Sequence, residues 1–419
     1  MNLRPILLSG ARGDTRRYRI FHLYQQLRLV GVEAVLSDIT DPGLLRRAQD
    51  CDLAIIHRAA DDAVVRKVMA RVRDNCGAVI VDTDDLIFEP RAFQWIDSPD
   101  FADPVRKRLY LDQMQRQRHT LLESDAVLVS TPFLAEAVAD LGRPAWVHRN
   151  AFSLEMGALS DAAYKQRRPA GTEVVIGYAS GTRTHNRDFS MIQPALRATL
   201  ERFPQTRLWL IGPLDLEGEW GSLTGRVRRL PLVPWRELPA LLAQFDVNLA
   251  PLLNDNPFSR SKSEIKFMEA ALVGVPTVAS RMEAFNKAII EGENGLLASG
   301  VEEWSAALAR LVSDGALRRA LGEQARELCL ANYNPQLRAD ELLRTLAEIY
   351  EELGRAGQLE PVHAQPAADC AIPLRAEQHP TLFEQGLYLL RQGDFVRLVS
   401  MIWVQIRRLL APIFPFRKM

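Results

Sequence analysis

Basic residues that could bind an anion follow an apolar run in the second half of the chain. After VVIGYAS comes the loop GTRTHNRDF, which holds Gly181, Arg183, His185 and Arg187. A strand-to-helix turn exposes backbone N–H groups, and the dipole of the following helix, predicted to begin near residue 188, favours negative charge. Arginine adds charge-assisted hydrogen bonds that suit phosphate. The pattern indicates an anion site, with an ordinary polar loop as the alternative.

A second segment of the same form follows the run DVNLAPLLN and the turn NPFSR. The stretch SKSEIKFMEAALVG predicts a helix that begins with charged and hydroxyl residues, where a solvated cap is the alternative. These residues are Ser261, Lys262, Ser263, Glu264 and Lys266. Glu269 lies two turns further in, where a carboxylate can accept hydrogen bonds from paired hydroxyls, as an acidic residue does for ribose. Together the two segments could hold a diphosphate.

Apolar runs alternate with helical patterns along both halves of the chain. The first half has PILL, VEAVL, DLAIIH, AVIVD and AVLVS, and the second has VVIGYAS, RLWLIG, DVNLAPL and VPTVAS. Such alternation is typical of a buried parallel sheet. The sequence therefore predicts two doubly wound α/β domains, 1–152 and 173–354, joined by a linker at 153–172. Ligands of such sheets bind outside the carboxyl ends of the strands, so the cleft between the domains is the expected site.

The N-terminal half offers candidate residues for the opposite, acceptor side of the cleft. The arginine-rich loop SGARGDTRRYR contains Gly10, Gly13 and Arg16, and it could close over a phosphate, bind an anionic acceptor, or form a solvated basic face. His57 and Arg58 follow DLAII at a predicted strand end. His57 could act as a general base for a hydroxyl group, although a histidine with satisfied hydrogen bonds at the sheet edge is the more common case.

Three carboxylates in VDTDDLIF raise the question of a metal site. Asp82, Asp84 and Asp85 end a predicted strand, and alternate aspartates can hold a divalent cation through oxygen ligands. They belong to the first half of the chain, away from the anion-binding loops. We therefore expect no metal there and favour a turn, a helix cap or an acceptor-facing cluster.

Composition limits the functional class. Lysine plus arginine and aspartate plus glutamate each number 52, and this balance argues against a general nucleic-acid binder. No run of 18 uncharged apolar residues predicts a membrane span, and the N-terminus lacks a signal-peptide pattern. The four cysteines are scattered, as reduced thiols of an intracellular protein would be. We expect a cytoplasmic protein that binds no nucleic acid.

The segment KSEIKFMEAALVGVPTVAS followed by IIEGENGLLA resembles the donor-sugar segment of the family 4 glycosyltransferases, which have the GT-B fold. The likeness includes IGYASG, LWLIG and DVNLAPL upstream and EEWSAALARLVSDGALRRALGEQAREL downstream. The N-terminal half resembles the family in architecture alone. The resemblance implies two Rossmann-like domains facing across a cleft, a nucleotide sugar as donor substrate, no further cofactor, no obligatory metal, and retention of anomeric configuration.

The resemblance also implies a role for Glu269, and residue type and position predict roles for the other candidates. Glu269 would contact the nucleotide ribose, and Trp235 could stack on the base or pack in the core. The charge on the leaving diphosphate would be stabilised by Arg183, Arg187, Lys262 and Lys266, while the other donor-binding residues would be Gly181, His185, Ser261, Ser263 and Glu264. The family commonly has two glutamates separated by seven residues, and this chain has Ser261 at the first of the two positions.

The C-terminal part differs from both halves. Residues 355–380 contain four prolines and little periodicity, which predicts a flexible connector. Residues 381–419 form an amphipathic helical pattern, and residues 391–419 hold six basic residues and one acidic residue, a net charge of +5. This pattern predicts a helix at the surface of an anionic membrane, peripheral to its cytoplasmic face. Packing across the two domains, or against a partner protein, is the alternative.

These expectations combine into one leading hypothesis. The chain would transfer a hexosyl or deoxyhexosyl group from a nucleoside-diphosphate sugar to a glycan or lipid-linked acceptor, in surface polysaccharide or O-antigen type biosynthesis. Two alternatives remain open. Ser261 at the first glutamate position is compatible with a non-catalytic sugar-nucleotide-binding subunit, and the same two-domain architecture could serve a nucleotide-sugar epimerase.

Overall fold

The computed structural model describes residues 3–11, 13–168, 171–216, 218, 220–355, 370–373 and 381–410. Each half of the chain builds a six-stranded sheet in which every strand pair is parallel. The prediction of two doubly wound domains followed by a helical tail is therefore confirmed.

The N-terminal sheet has the strand order β2-β1-β3-β4-β5-β6. Its strands are β1 Pro5–Ser9, β2 Val35–Asp38, β3 Leu53–His57, β4 Ala78–Thr83, β5 Ala126–Val129 and β6 Ala145–Val147. The C-terminal sheet has the order β12-β11-β10-β7-β8-β9. Its strands are β7 Val174–Ala179, β8 Thr206–Ile211, β9 Val227–Leu230, β10 Val247–Ala250, β11 Thr277–Ser280 and β12 Gly295–Ala298. The central strands are buried on both faces, which is why they read as continuous apolar runs.

Helices cover both faces of each sheet. Those of the first half are α1 Asp14–Arg16, α2 His22–Leu29, α3 Leu44–Arg47, α4 Ala63–Asp74, α5 Pro104–Leu122, α6 Pro132–Ala139 and α7 Leu154–Lys165. Those of the second half are α8 Asn186–Ser190, α9 Gln193–Arg202, α10 Leu238–Leu242, α11 Pro257–Arg260, α12 Ile265–Leu272, α13 Glu283–Ala288, α14 Gly300–Ser313, α15 Gly315–Asn332 and α16 Pro335–Glu352. The last two are α17 Leu382–Gln392 and α18 Phe395–Leu410.

The stretch 153–172, predicted as a linker, contains helix α7. Ser153 caps this helix by accepting a hydrogen bond from the backbone N–H of Met156 at 3.1 Å. The helix packs against α10 and α12 of the C-terminal domain. Its sequence, LEMGALSDAAYK, has few large apolar residues and so shows little helical periodicity.

Helix α16 lies within the predicted range of the C-terminal domain but packs on the N-terminal one. Leu342, Leu346 and Ile349 join the apolar core of the first domain, next to α2. The Tyr350 hydroxyl donates to the backbone carbonyl of Asp52 at 3.2 Å. The chain thus returns to the first domain before the predicted connector, whose residues are described only at 355 and 370–373.

The tail is a helical hairpin of α17 and α18, called here the C-terminal hairpin. Thr381 and Glu384 form a reciprocal capping box at the start of α17, and Gly393 ends it in the left-handed conformation, with φ +68°. Within the residues that the structure describes, no helix is long and apolar enough to cross a bilayer.

Candidate active site

The carboxyl ends of the two sheets face one cleft, and polar side chains from both domains meet across it. Lys262 Nζ donates to Asp85 Oδ2 at 2.8 Å, and the hydroxyl of Tyr18 donates to Glu269. The Asn150 amide donates to Ser263 Oγ at 2.9 Å. Residues far apart in sequence therefore form a single site at the domain interface.

A π-helical segment at Arg17–Phe21 delivers three of these side chains. It lies between α1 and α2, and Arg17, Tyr18 and Arg19 are all buried within it. Wide turns of this kind are rare inside helices and occur frequently at functional sites. Here the segment places consecutive polar residues against different partners, because Arg19 binds Asp82 at 3.0 Å while Tyr18 reaches Glu269.

Arg17 belongs to this segment and is not among the candidate residues predicted from the sequence. Only 3% of it is exposed, and its guanidinium lies 4.4 Å from the ring centroid of Trp235 and 4.6 Å from that of Tyr18. Among the described residues, its Nε and Nη1 have no hydrogen-bond partner, and the ion pair with Asp14 is long, at 3.5 Å. Buried guanidinium nitrogens without hydrogen-bond partners are unfavourable. The arrangement suits an anionic ligand that would supply them.

Glu269 stands next to Arg17 in this interface. Its carboxylate accepts the hydrogen bond from Tyr18, and burial raises the pKa of Glu269 against the opposing effects of Tyr18, Arg17 and Lys266. The predicted position of this carboxylate in the cleft is thus observed, together with a tyrosine partner that the sequence did not indicate.

Lys262 and Lys266 form a cationic group at the end of β7, next to His185. Lys266 Nζ donates to the Ala179 carbonyl at 2.6 Å, and burial lowers the pKa of Lys266. His185 Nδ1 lies 3.0 Å from Asp188 Oδ2, and burial lowers the pKa of His185, with a further lowering from the two lysines. The structure therefore brings these three predicted residues together.

The remaining predicted residues of the first loop lie apart from this group. Gly181, Arg183 and Arg187 are exposed, and Arg183 makes a 3.9 Å ion pair with Asp215. The helix predicted to begin near residue 188 is instead a 3-10 turn at Arg183–His185 followed by the five-residue α8. Such short elements leave the two arginines on the surface.

In the second predicted anion-binding segment, the helix also begins at a different residue from the one predicted. Helix α12 begins at Ile265, with Glu264 at its N-cap, and Ser261 ends the preceding short helix α11. The prediction of Ser261, Lys262 and Ser263 in the first helical turn is therefore wrong. The cause is local, because Asn256 caps α11 through the Ser259 N–H at 2.7 Å and Pro257 occupies its first turn.

Ser261 is fully buried, and a carboxylate lies beside it. Its hydroxyl donates to the Phe258 carbonyl at 2.7 Å and lies 3.2 Å from Asp85 Oδ1. Asp85 belongs to the N-terminal domain, in the loop after β4. The resemblance leads to the expectation of a glutamate at position 261, and here the opposite domain brings an aspartate to that place.

Two residues predicted to contact the donor form contacts between the two domains instead. They are Ser263 and Glu264. The buried Glu264 carboxylate pairs with Arg149 at 3.3 Å and accepts a hydrogen bond from the Tyr333 hydroxyl at 3.0 Å. Ser263 is the acceptor for Asn150 described above. Both side chains are therefore engaged in contacts with the protein itself.

Trp235 is predicted to flank a nucleotide base, and its ring is already stacked. The guanidinium groups of Arg17 and Arg236 lie 4.4 and 4.5 Å from its ring centroid. The indole is half-buried and packs on the core around Phe267 and Met268. In this structure it holds Arg17 in place.

On the N-terminal side, His57 and Arg58 form a hydrogen-bonded cluster with Asp84. His57 Nδ1 lies 2.9 Å from Ser9 Oγ, and its Nε2 lies 3.3 Å from Asp84 Oδ1. Arg58 pairs with Asp84 at 2.6 Å. Burial alone would raise the pKa of Asp84, but Arg58 and His57 hold it well below its ordinary range. The predicted strand-end histidine therefore has both ring nitrogens engaged.

The glycines of the first loop have steric and backbone roles. A Cβ on Gly10 would lie 2.7 Å from the Ala59 Cα, and its N–H donates to the His57 carbonyl at 2.9 Å. Gly13 has φ +77°, which a side chain would strain. Arg16 pairs with Asp38 at 3.3 Å, at the end of β2.

The three aspartates considered for a metal each pair with a cationic side chain. Asp82 accepts from Arg19, Asp84 from Arg58, and Asp85 from Lys262. Across the described part of the chain, no group of three or more His, Cys, Asp or Glu side chains could hold a metal ion.

A cavity of about 830 Å³ opens beside this cluster. It is lined by Ser9, Gly10 and Arg58 at the strand ends, reaches Thr184 of the C-terminal domain, and extends under the C-terminal hairpin. The cleft therefore has two parts, a cationic part around Arg17 and Lys266 and a larger cavity on the N-terminal side.

Comparison with known proteins agrees with this geometry. A family model described as glycosyl transferase-like matches residues 187–344, most of the second domain. The chain carries a glycosyl transferase-like domain. The resemblance to the glycosyltransferases predicted from the sequence is thereby confirmed, and Glu269, Lys262 and Lys266 all lie within the matched range.

Curated relatives match part of the chain. A D-inositol 3-phosphate glycosyltransferase of Corynebacterium jeikeium is 30% identical over 178 residues, which are 39% of this chain and 40% of that protein. A phosphatidyl-myo-inositol mannosyltransferase of Mycolicibacterium smegmatis is 27% identical over 173 residues, 40% of this chain and 42% of that protein. The chain thus matches about two fifths of the length of these relatives.

The whole architecture matches solved structures. The HepE protein of Anabaena in complex with UDP-glucose superimposes with a TM-score of 0.54 and 15% identity, covering 83% of this chain and 100% of that one. At this identity the likeness concerns the fold. It confirms the predicted GT-B arrangement around the glycosyl transferase-like domain.

Proposed function

We propose that the chain transfers a sugar from a nucleoside-diphosphate sugar to a glycan or lipid-linked acceptor, with retention of anomeric configuration. The observation that carries the proposal is the buried guanidinium of Arg17, in which Nε and Nη1 have no hydrogen-bond partner among the described residues, and which lies near Glu269 at the glycosyl transferase-like domain. The names of the relatives support it, since they act on an inositol phosphate and a phosphatidylinositol. The fold neighbour was crystallised with UDP-glucose.

Stabilisation of the leaving group is the main task of such a site. Negative charge builds on the diphosphate as the glycosidic bond breaks, and Arg17, Lys262 and Lys266 would neutralise it in a partly dry cleft. Arg183 and Arg187 are exposed, so we assign this role to the three buried or half-buried cations. Glu269 would exchange its Tyr18 hydrogen bond for hydrogen bonds from the ribose hydroxyls.

The transferred sugar and the acceptor would lie between this cationic group and the N-terminal strands. The Asp85 carboxylate, beside Ser261, is placed to accept hydrogen bonds from the sugar once Lys262 turns toward the diphosphate. His57 has no free ring nitrogen, so the leaving phosphate would take the acceptor proton on the same face of the sugar. This route gives retention without a protein nucleophile.

Activity should survive an excess of EDTA. The cationic side chains of Arg17, Lys262 and Lys266 would do what a divalent ion does in metal-dependent transferases, and the three aspartates considered for a metal already pair with cations. The measurement is nucleotide release with and without chelator. Loss of turnover that Mn²⁺ or Mg²⁺ restores would contradict this expectation and assign a metal to Asp82, Asp84 and Asp85.

Affinity for a nucleotide sugar should rise with pH as Glu269 loses its proton. Burial raises the pKa of Glu269, so the protonated form persists above the ordinary range of a glutamate, and only the ionised form accepts two hydrogen bonds from ribose. Calorimetry across this range would show the rise, and Glu269→Gln would abolish it. Burial lowers the pKa of His185, which therefore titrates on the acid side of its usual range. An identical pH profile in Glu269→Gln would contradict the assignment.

The proposed activity is tested with purified protein and a panel of nucleotide sugars, with and without vesicles containing phosphatidylinositol. Nucleotide release that depends on acceptor, with the product anomer assigned by NMR, would support transfer. Binding without turnover would favour the non-catalytic subunit, for which Ser261 at the first glutamate position is the motivating observation. Isomerisation of the donor without acceptor would indicate the epimerase.

A further inference from the structure

The C-terminal hairpin has an apolar face that points away from the protein. Six residues of α18, all between 38% and 68% exposed, recur at the three- and four-residue spacing of one helix face. They are Phe395, Val396, Val399, Ile402, Trp403 and Ile406. Phe383 of α17 is also exposed, at 77%. We call this surface the outer face.

The opposite side of α18, called here the inner face, lines the cavity. It consists of Arg397, Ser400, Met401, Val404 and Gln405, again at helical spacing. Polar bonds attach the hairpin to the N-terminal domain. Tyr388 donates to Asp62, Arg397 donates to Asp112 at 2.7 Å, and the Ala63 N–H donates to Gln392 at 3.0 Å.

This orientation is the reverse of ordinary packing. A helix that docks for stability buries its apolar stripe and exposes its polar one, whereas here the larger apolar stripe stays outside. A continuous exposed apolar surface of this kind marks an interaction site.

The charge of the C-terminal sequence indicates which kind of partner the outer face binds. The sequence from 391 to 419 has six basic residues and one acidic residue, a net charge of +5, and four of the basic residues lie at 407–419, beyond the described side chains. A helix that combines an apolar face with basic residues binds the interface of an anionic membrane, where hydrocarbon covers the apolar side chains and lipid headgroups pair with the basic ones. We therefore take an anionic lipid surface as the occupant.

The cavity under the hairpin has a polar part and an apolar part. Ser9, Gly10 and Arg58 line it at the strand ends, next to the proposed reaction site. Elsewhere the lining mixes polar side chains with an apolar group, which consists of Phe101, Leu109 and Met114 from the first domain and Leu389, Met401 and Val404 from the hairpin. Such a cavity suits a molecule with a polar head and a hydrocarbon portion.

We propose that this cavity binds a lipid-linked acceptor, taken from an anionic membrane on which the outer face rests. The proposal rests on the proposed function and narrows its acceptor to an amphiphile. The head of the acceptor would lie at Arg58 and Ser9, and its hydrocarbon would lie against the apolar group of the cavity, which includes Met401 and Val404. The hairpin would then join the membrane to the reaction site.

Two matched neutral variants separate the two faces. The outer variant carries Val399→Gln and Trp403→Gln, and the inner variant carries Met401→Gln and Val404→Gln, so neither changes the net charge. Three measurements are made on the full chain: sedimentation with phosphatidylcholine vesicles with and without phosphatidylglycerol, calorimetric binding of dodecyl phosphate below its micelle concentration, and binding of UDP.

We expect the outer variant to lose about tenfold in vesicle binding and to bind dodecyl phosphate as the wild type does. The inner variant should show the reverse, and vesicle binding of the wild type should require phosphatidylglycerol and fall with salt. Equal UDP binding in all three proteins shows that the donor site is intact. Wild-type vesicle binding by the outer variant, or wild-type dodecyl phosphate binding by the inner one, would overturn the proposal. Absence of UDP binding in the wild type would count against the proposed function instead.

Discussion

The Arg17→Ala variant is expected to lose a factor of about 10²–10³ in kcat, the usual effect of removing one fixed group that stabilises developing negative charge. Arg17 is buried between Trp235 and Tyr18, and within the described structure two of its guanidinium nitrogens lack hydrogen bonds. A diphosphate would supply those bonds. Nucleotide release during turnover measures the effect on kcat, and calorimetry measures the accompanying loss of UDP affinity.

The free protein should tolerate this change. Removing Arg17 takes away its desolvation cost together with the Asp14 ion pair and two ring contacts, so Arg17→Ala should stay folded and unfold near the wild-type temperature. Arg183→Ala is the matched control, because it removes the same charge from an exposed position and should change kcat by less than about twofold. Wild-type kcat and UDP affinity in a folded Arg17→Ala protein would remove Arg17 from the site.

The Glu269→Ala variant is expected to bind a nucleotide sugar about 10- to 150-fold more weakly. This range corresponds to a loss of about 1.5–3 kcal/mol, the usual contribution of hydrogen bonds to a charged acceptor. The carboxylate is half-buried at the cleft and is already engaged by the Tyr18 hydroxyl, so it can accept hydrogen bonds where the ribose is expected. Calorimetry with the donor, beside a thermal unfolding curve, measures the effect.

Tyr18→Phe provides the control for Glu269. It removes the competing hydrogen bond and keeps the carboxylate, so donor affinity should be equal to or greater than that of the wild type. If a folded Glu269→Ala protein binds the donor with unchanged affinity, Glu269 has no contact with the nucleotide, and its bond to Tyr18 serves only to hold the domains together.

The fold could be predicted because it depends on local patterns. Runs such as AVIVD and VVIGYAS are almost entirely apolar, since parallel strands are buried on both faces. The helices between them show apolar residues at three- and four-residue spacing. The positions of Glu269, Lys262 and Lys266 followed from the same reasoning, because the carboxyl ends of parallel strands meet at one edge of a sheet. A short-range pattern therefore specified both the architecture and the location of the cleft.

Local pattern could not specify which charged residue pairs with which. Arg16, Arg17 and Arg19 belong to one arginine-rich run, yet they contact Asp38, the Trp235 ring and Asp82 respectively. The π-helical segment sends neighbouring side chains to different partners, one of them more than 200 residues away. The same limit applies to Ser261, whose neighbour Asp85 comes from the other domain.

The sequence by itself determined two doubly wound domains, the glycosyltransferase resemblance of the second, and an amphipathic C-terminal segment. Its periodicity showed that α18 has an apolar face, but periodicity is the same whichever way a helix is turned. The tertiary structure decided that this face points outward, because Tyr388 and Arg397 bond to Asp62 and Asp112 on the N-terminal domain. It also decided that α16 completes the first domain and that Arg17 reaches the cleft, since each depends on contacts between residues far apart in the chain.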